Sequence, residues 1–151
     1  MKGIDLEFVD QCMTRITKLK PDAKPVWGKL KANELVPHLI GAFKTSMGDM
    51  PELGFIGNWF TTTVLPPIIY LGFVGPPKNL KSRDKNGAIT PAVSYPGDAN
   101  DLAACMRDYI RRRDDGTMKA TRHPLFGDIG PEGWGKIHVL HCKHHFKQFQ
   151  I

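Results

Sequence analysis

Four of the six histidines in this chain, His138, His141, His144 and His145, fall within eight positions of one another. Imidazole suits zinc, nickel and related ions, and three imidazoles on such an ion leave a position open for a reacting molecule. A metal held that way polarises a substrate oxygen or lowers the pKa of a bound water or thiol. The stretch from Trp134 to Ile151 carries a helical pattern. With Ile137 at the origin, Lys136, Lys143 and Lys147 fall together at roughly 240–280°, while Trp134, His138, His141 and His145 fall at roughly 40–100°. Lysines mark the wet face, so these histidines point toward the core. A buried imidazole without a partner is costly, which leaves two readings open: core histidines bonded to carbonyls, or ligands of a metal.

His141 and His145, four apart, lie on one helix face and reach one point. A third ligand must come from another helix, and His38 is the histidine placed to supply it. The metal set expected from the residues is therefore His38, His141 and His145. His138, one turn earlier, is a further ligand or a partner behind the ligands. His144 projects about 60° to the side and is peripheral, and Cys142 points away and packs. The spacing lacks the glutamate that makes His-Glu-x-x-His a protease signature. His123-Pro124 sits in a connector, where it forms a turn. Trp27, Trp59 and Trp134 are read as core aromatics. No phosphate-binding glycine loop, nucleophile elbow or carboxylate pair is present.

The elements that must position these residues are helical. Phe8, Cys12, Ile16 and Leu19 predict a first helix over Asp5 to Leu19, stopped by Pro21 and Pro25. Leu35, Leu39, Ala42, Phe43 and Met47 predict a second from about Asn33, its N-cap, to Met47, with Pro37 in or just past the first turn. Pro51 is placed to open a third segment, which Gly54, Gly57 and Pro66-Pro67 break. Residues 75–98 read as a long irregular loop, with Ala88 to Tyr95 an extended piece over the helices. Leu102, Cys105, Met106, Tyr109 and Ile110 define a helix capped by Asp98 or Asn100, ending in Arg111-Arg112-Arg113 as a solvated last turn. Gly130-Pro131-Glu132 starts the last helix. The expectation is all-α: an antiparallel four-helix bundle in a single domain, 1–151, with a long irregular loop before its third or fourth helix.

Composition sets bounds. At 151 residues, 41% hydrophobic and 24% charged, the chain is an ordinary globule. The net charge of +6 is spread without interleaved aromatics, so no nucleic-acid footprint is expected. Three separated cysteines, Cys12, Cys105 and Cys142, suit a reducing cytoplasm. The first residues, Met-Lys-Gly-Ile-Asp-Leu-Glu, are acidic and unlike a signal peptide. The apolar run from Val64 to Val74 is too short to span a bilayer, so no stable membrane insertion is expected.

The ordered set Pro21-Asp22, Pro25-x-Trp27-Gly28-Lys29, Leu35-x-x-His38-Leu39, His123-Pro-Leu-Phe-Gly127, Trp134-Gly135 and His141-x-x-His144-His145-Phe-x-Gln148-Phe149 resembles the DinB-like superfamily. More closely, it resembles a bacterial branch of it known as a domain of unknown function. The resemblance spans nearly the whole chain. It implies an antiparallel four-helix bundle, often dimeric, with a divalent metal such as Zn²⁺ or Ni²⁺ on His38, His141 and His145. Relatives include metal-dependent thiol transferases that use low-molecular-weight thiols. The expected function is accordingly a metal-dependent thiol transferase or hydrolase acting on a small molecule. His138, His144 and Trp134 would stand behind the ligands. The alternative is a non-catalytic bundle that forms a homodimer or binds a small ligand without metal.

Overall fold

The computed structural model describes residues 1–71 and 81–151. Among them are five α-helices and no strands: α1 Leu6–Ile16, α2 Ala32–Ser46, α3 Leu65–Tyr70, α4 Ala99–Asp114 and α5 Gly130–Phe149. A π-helical turn, Phe60–Val64, leads into α3. The all-α expectation holds. The end of the apolar run at Val74 and the 75–80 part of the expected loop lie outside the described residues.

Local chemistry explains the helix starts. Asp5 caps α1 by accepting from the Phe8 N–H at 2.8 Å. Asp98 caps α4, accepting from Asn100 and Asp101 N–H. For α2 the expected cap at Asn33 is wrong. Lys31 occupies that position, and its N–H donates to the Glu34 carboxylate at 2.9 Å, so an acid in the first turn does the work. Pro51 opens no helix. Pro66 and Pro67 start one instead of interrupting it, because the first-turn positions need no N–H.

The core forms from one face of each long helix. Phe8, Val9 and Cys12 of α1, Leu35, Leu39 and Phe43 of α2, Leu102, Met106 and Tyr109 of α4, and Val139, Cys142 and Phe146 of α5 are buried together. Both α1 and α2 pack against both α4 and α5. The arginine run closing α4 is less solvated than expected. Arg112 makes a two-pronged bond to Asp49 at 2.9 and 3.0 Å, and Arg113 donates to the Ile4 carbonyl at 2.6 Å.

Two connectors matter to the site. The segment before α2 lies against the end of α5, where the Val26 N–H donates to the Gln148 carbonyl at 2.8 Å. The extended piece ending at Tyr95 crosses α2, with the Tyr95 N–H donating to the Pro37 carbonyl at 2.9 Å. A side chain on Gly41 would place its Cβ 2.8 Å from Ser94 backbone atoms. Glycine is what lets the strap lie directly on the helix.

Candidate metal centre

His38 projects from α2, and His141 and His145 project one turn apart from α5. The structure brings these three together. One ring nitrogen from each lies within 4.8 Å of the others. His141 Nε2 is 3.1 Å from His38 Nε2 and 2.9 Å from His145 Nε2. Two nitrogens bound to one metal at about 2.0–2.1 Å stand roughly 2.9–3.4 Å apart for angles between a right angle and the tetrahedral value. The observed separations suit a common ion.

Hydrogen bonds at the far side of the rings fix which nitrogens face inward. His38 Nδ1 lies 2.8 Å from the Val93 carbonyl, supplied by the strap over α2. A carbonyl only accepts, so Nδ1 carries the proton and Nε2 presents a lone pair. His145 Nδ1 lies 2.7 Å from Gln148 Oε1. The Gln148 amide is oriented in turn, because its Nε2 donates to the Trp27 carbonyl at 2.7 Å. Its oxygen must face His145, so His145 Nε2 also presents a lone pair. The neutral His141 ring has at most one proton at Nε2 to share between two bare nitrogens. Protein hydrogen bonds alone leave this convergence short of positive charge, which a cation held by the three nitrogens would supply. Orientation of ligating imidazoles by carbonyls behind them is the usual outer-shell arrangement.

Electrostatics keep the rings neutral, the form a metal needs. Burial lowers the His38 pKa against the opposing effect of its Val93 bond. Burial and then the neighbouring His38 push His145 down to about 4. Burial, with His38 and His145 adjacent, holds His141 well below the ordinary range.

The other expected residues take different places. His138 stands outside the three-histidine cluster: its Nε2 lies 2.8 Å from Ser46 Oγ, and its ring stacks on Phe43 at 3.9 Å and near Trp134 at 5.4 Å. His144 stands edge-on to Trp27 and to His145. Trp134 donates from Nε1 to the Thr121 carbonyl at 2.7 Å, which holds its ring against His138. The groups bonded to the far side of the converging rings are the Val93 carbonyl, on His38, and Gln148, on His145. Sequence reasoning missed the first altogether and carried the second only inside a motif.

The cluster opens on a cavity of about 320 Å³ whose wall includes Trp27, Ile56, Ile69, Phe126, Ile137 and Leu140. Its wall also takes in residues from the strap and from the His123 turn. All three cysteines are buried away from it. Burial raises the Cys105 thiol to about 11. A hydrogen bond to Cys12, and then burial, raise Cys142 well above the usual thiol range.

No helix among the described residues is long and apolar enough to cross a membrane. Residues 2–151 match a family described as a protein of unknown function, DUF1569. No curated protein and no solved structure matches the chain.

Proposed function

Because the chain belongs to the DUF1569 family, whose description assigns no reaction, we propose its function from the site: a metalloprotein in which His38, His141 and His145 hold a divalent ion facing the cavity. The observation that carries this is the convergence of three Nε2 atoms, at least two of them bare because Val93 and Gln148 take their Nδ1 protons. Zinc, nickel and similar imidazole-preferring ions suit the donor set. Such an ion, when bound, supplies Lewis acidity for a thiol, water or substrate oxygen.

The chain's own residues do the rest. Val93 and Gln148 fix the ligand rings, apolar side chains line much of the cavity, and the buried cysteines offer no thiolate at the site. A thiol in the reaction therefore comes from outside, as a low-molecular-weight thiol. The reaction class is metal-dependent thiol transfer or hydrolysis on a small molecule admitted to the cavity, in the cytoplasm. We place the fold within the DinB-like superfamily as a single-domain antiparallel four-helix bundle. In support, α1 and α2 each meet α4 and α5, a closed ring of four helices.

Metal analysis of gently purified protein tests the reading. About one equivalent of a divalent ion is expected, or uptake of one on titration, and both should be lost in His141→Ala. Failure of the wild type to take up any divalent ion sinks it. A second reading, a homodimer, draws on exposed Trp59, Phe60 and Leu71. A wild type that sediments as a monomer removes it.

A further inference from the structure

The His123-Pro-Leu-Phe-Gly127 turn holds an imidazole in a single tautomer. His123 Nδ1 accepts two backbone N–H groups, from Leu125 and Phe126, both at 3.1 Å. A ring nitrogen that accepts twice carries no proton, so the proton of the neutral ring sits on Nε2. Burial pushes the pKa down to about 3, which keeps the ring neutral. Phe126 stacks on it at 4.4 Å, and Trp134 lies 4.7 Å away. The turn closes by a bridge between His123 and Gly127, where a φ of 78° calls for glycine. The ring is thus held by a stacked Phe126, a tilted Trp134 and two bonds at one edge.

What remains is Nε2–H. The side chain is 9% exposed and lines the cavity, yet this donor meets no acceptor among the described residues. Thr45 sits beside the same turn: Thr121, two residues before His123, donates to its carbonyl at 2.8 Å. Thr45 is 3% exposed, lines the same cavity, and its hydroxyl has no partner. Two polar side chains in the wall of one cavity, neither donor meeting an acceptor among the described residues, call for a polar group on the occupant. Its sign follows from the charges around it. Lys29, Lys81 and Arg83 are among the described lining residues, which include no carboxylate.

We propose that the cavity binds a small apolar carboxylate, and that His123 Nε2–H, with the Thr45 hydroxyl, receives its carboxyl group. His123 is then a positioning residue, whereas sequence alone gives it only a turn. The proposal rests on the reading of this cavity as the substrate site. It takes nothing from the metal's chemistry.

Calorimetric titration with 4-phenylbutyrate and its uncharged counterpart 4-phenyl-1-butanol tests it. The wild type is expected to prefer the carboxylate at least tenfold. In His123→Asn, Oδ1 replaces Nδ1 as acceptor for the turn but no donor stands at Nε2. The melting temperature should stay near wild type while the preference disappears. In His123→Gln the donor is kept and the turn acceptor lost, so the preference should survive in a less stable protein. Thr45→Val, of matching shape, should weaken carboxylate binding several-fold and serves if His123→Asn does not fold. A wild type without preference, or a preference that survives both His123→Asn and Thr45→Val, overturns the proposal. Metal content measured on the same samples separates the two readings. Metal-loaded protein whose preference ignores these changes sinks this one alone. Metal-free protein whose preference depends on His123 sinks only the metal.

Discussion

Gln148→Met is the most discriminating single change for the metal centre. Gln148 is 4% exposed and makes two bonds of 2.7 Å, accepting from His145 and donating to the Trp27 carbonyl. Methionine fills nearly the same volume, so a cavity term is small and the polar loss dominates. Two buried groups, His145 Nδ1–H and the Trp27 carbonyl, lose their partners. At about 1–3 kcal/mol each, the protein should lose on the order of 2–6 kcal/mol of stability. The metal effect is separate. With Nδ1 unheld, His145 is free to rotate or to exchange tautomer, and removal of such an outer partner typically costs about 10–100-fold in metal affinity. Urea unfolding of metal-free protein measures the first effect, and competition with a chelator of known affinity measures the second. Gln148→Glu sharpens the comparison. Its carboxylate can still accept from His145 but cannot donate to Trp27, so metal affinity should be largely retained while stability falls. Wild-type metal affinity in Gln148→Met would refute the orientation argument, since His145 would then need no partner behind it.

Three further outcomes are expected. Burial holds His123 and His138 near a pKa of about 3, below the unfolded value, so below pH 6.5 the unfolded chain binds protons that the fold refuses. Stability should therefore be pH-independent on their account above about 7 and fall by on the order of 4 kcal/mol between pH 7 and 5; a flat urea midpoint over that range counts against it. Gly41→Ala should destabilise, because Cβ would stand 2.8 Å from Ser94 and overpacking of about 1–3 kcal/mol exceeds the roughly 1 kcal/mol gain in helix propensity. It should also weaken metal binding by shifting the Val93 carbonyl, and a more stable Gly41→Ala protein defeats the close-contact argument. Ser46→Ala should cost about 1–3 kcal/mol by orphaning His138 Nε2 yet leave metal uptake unchanged; lost uptake would tie His138 to the centre.

Much of the centre was legible because helical spacing is a hard constraint. His141 and His145 share a face at any helix placement, and only His38 could meet them from α2. The same wheel could not separate His138 from the ligands. It lies on their side, but one turn nearer the helix start, where Ser46 and Phe43 meet it. Depth along a bundle is set by packing, which angular position does not encode. The Val93 carbonyl was invisible for another reason: a backbone group leaves no mark in side-chain pattern, and it arrives through a strap whose path depends on Gly41. His123 looked like a turn former because its turn bonds are local, whereas its place in the cavity wall depends on the fold. Prolines misled in both directions. Pro51 had helix-start chemistry without a helix, and Pro66-Pro67 looked like a break but sits where a helix can begin.

His38 and His141, which we propose as ligands of one ion, are 103 positions apart, and that separation bears on the order of assembly. Bringing such distant points together in an unfolded chain costs roughly 4 kcal/mol of loop entropy before any contact is gained. An ion therefore has little to nucleate on, unlike the ion of a zinc finger, whose ligands are close in sequence. The hydrophobic faces of α1, α2, α4 and α5 would close first, and an ion would enter a finished pocket. Once in, it would act as a late cross-link between α2 and α5, slowing unfolding more than it speeds folding.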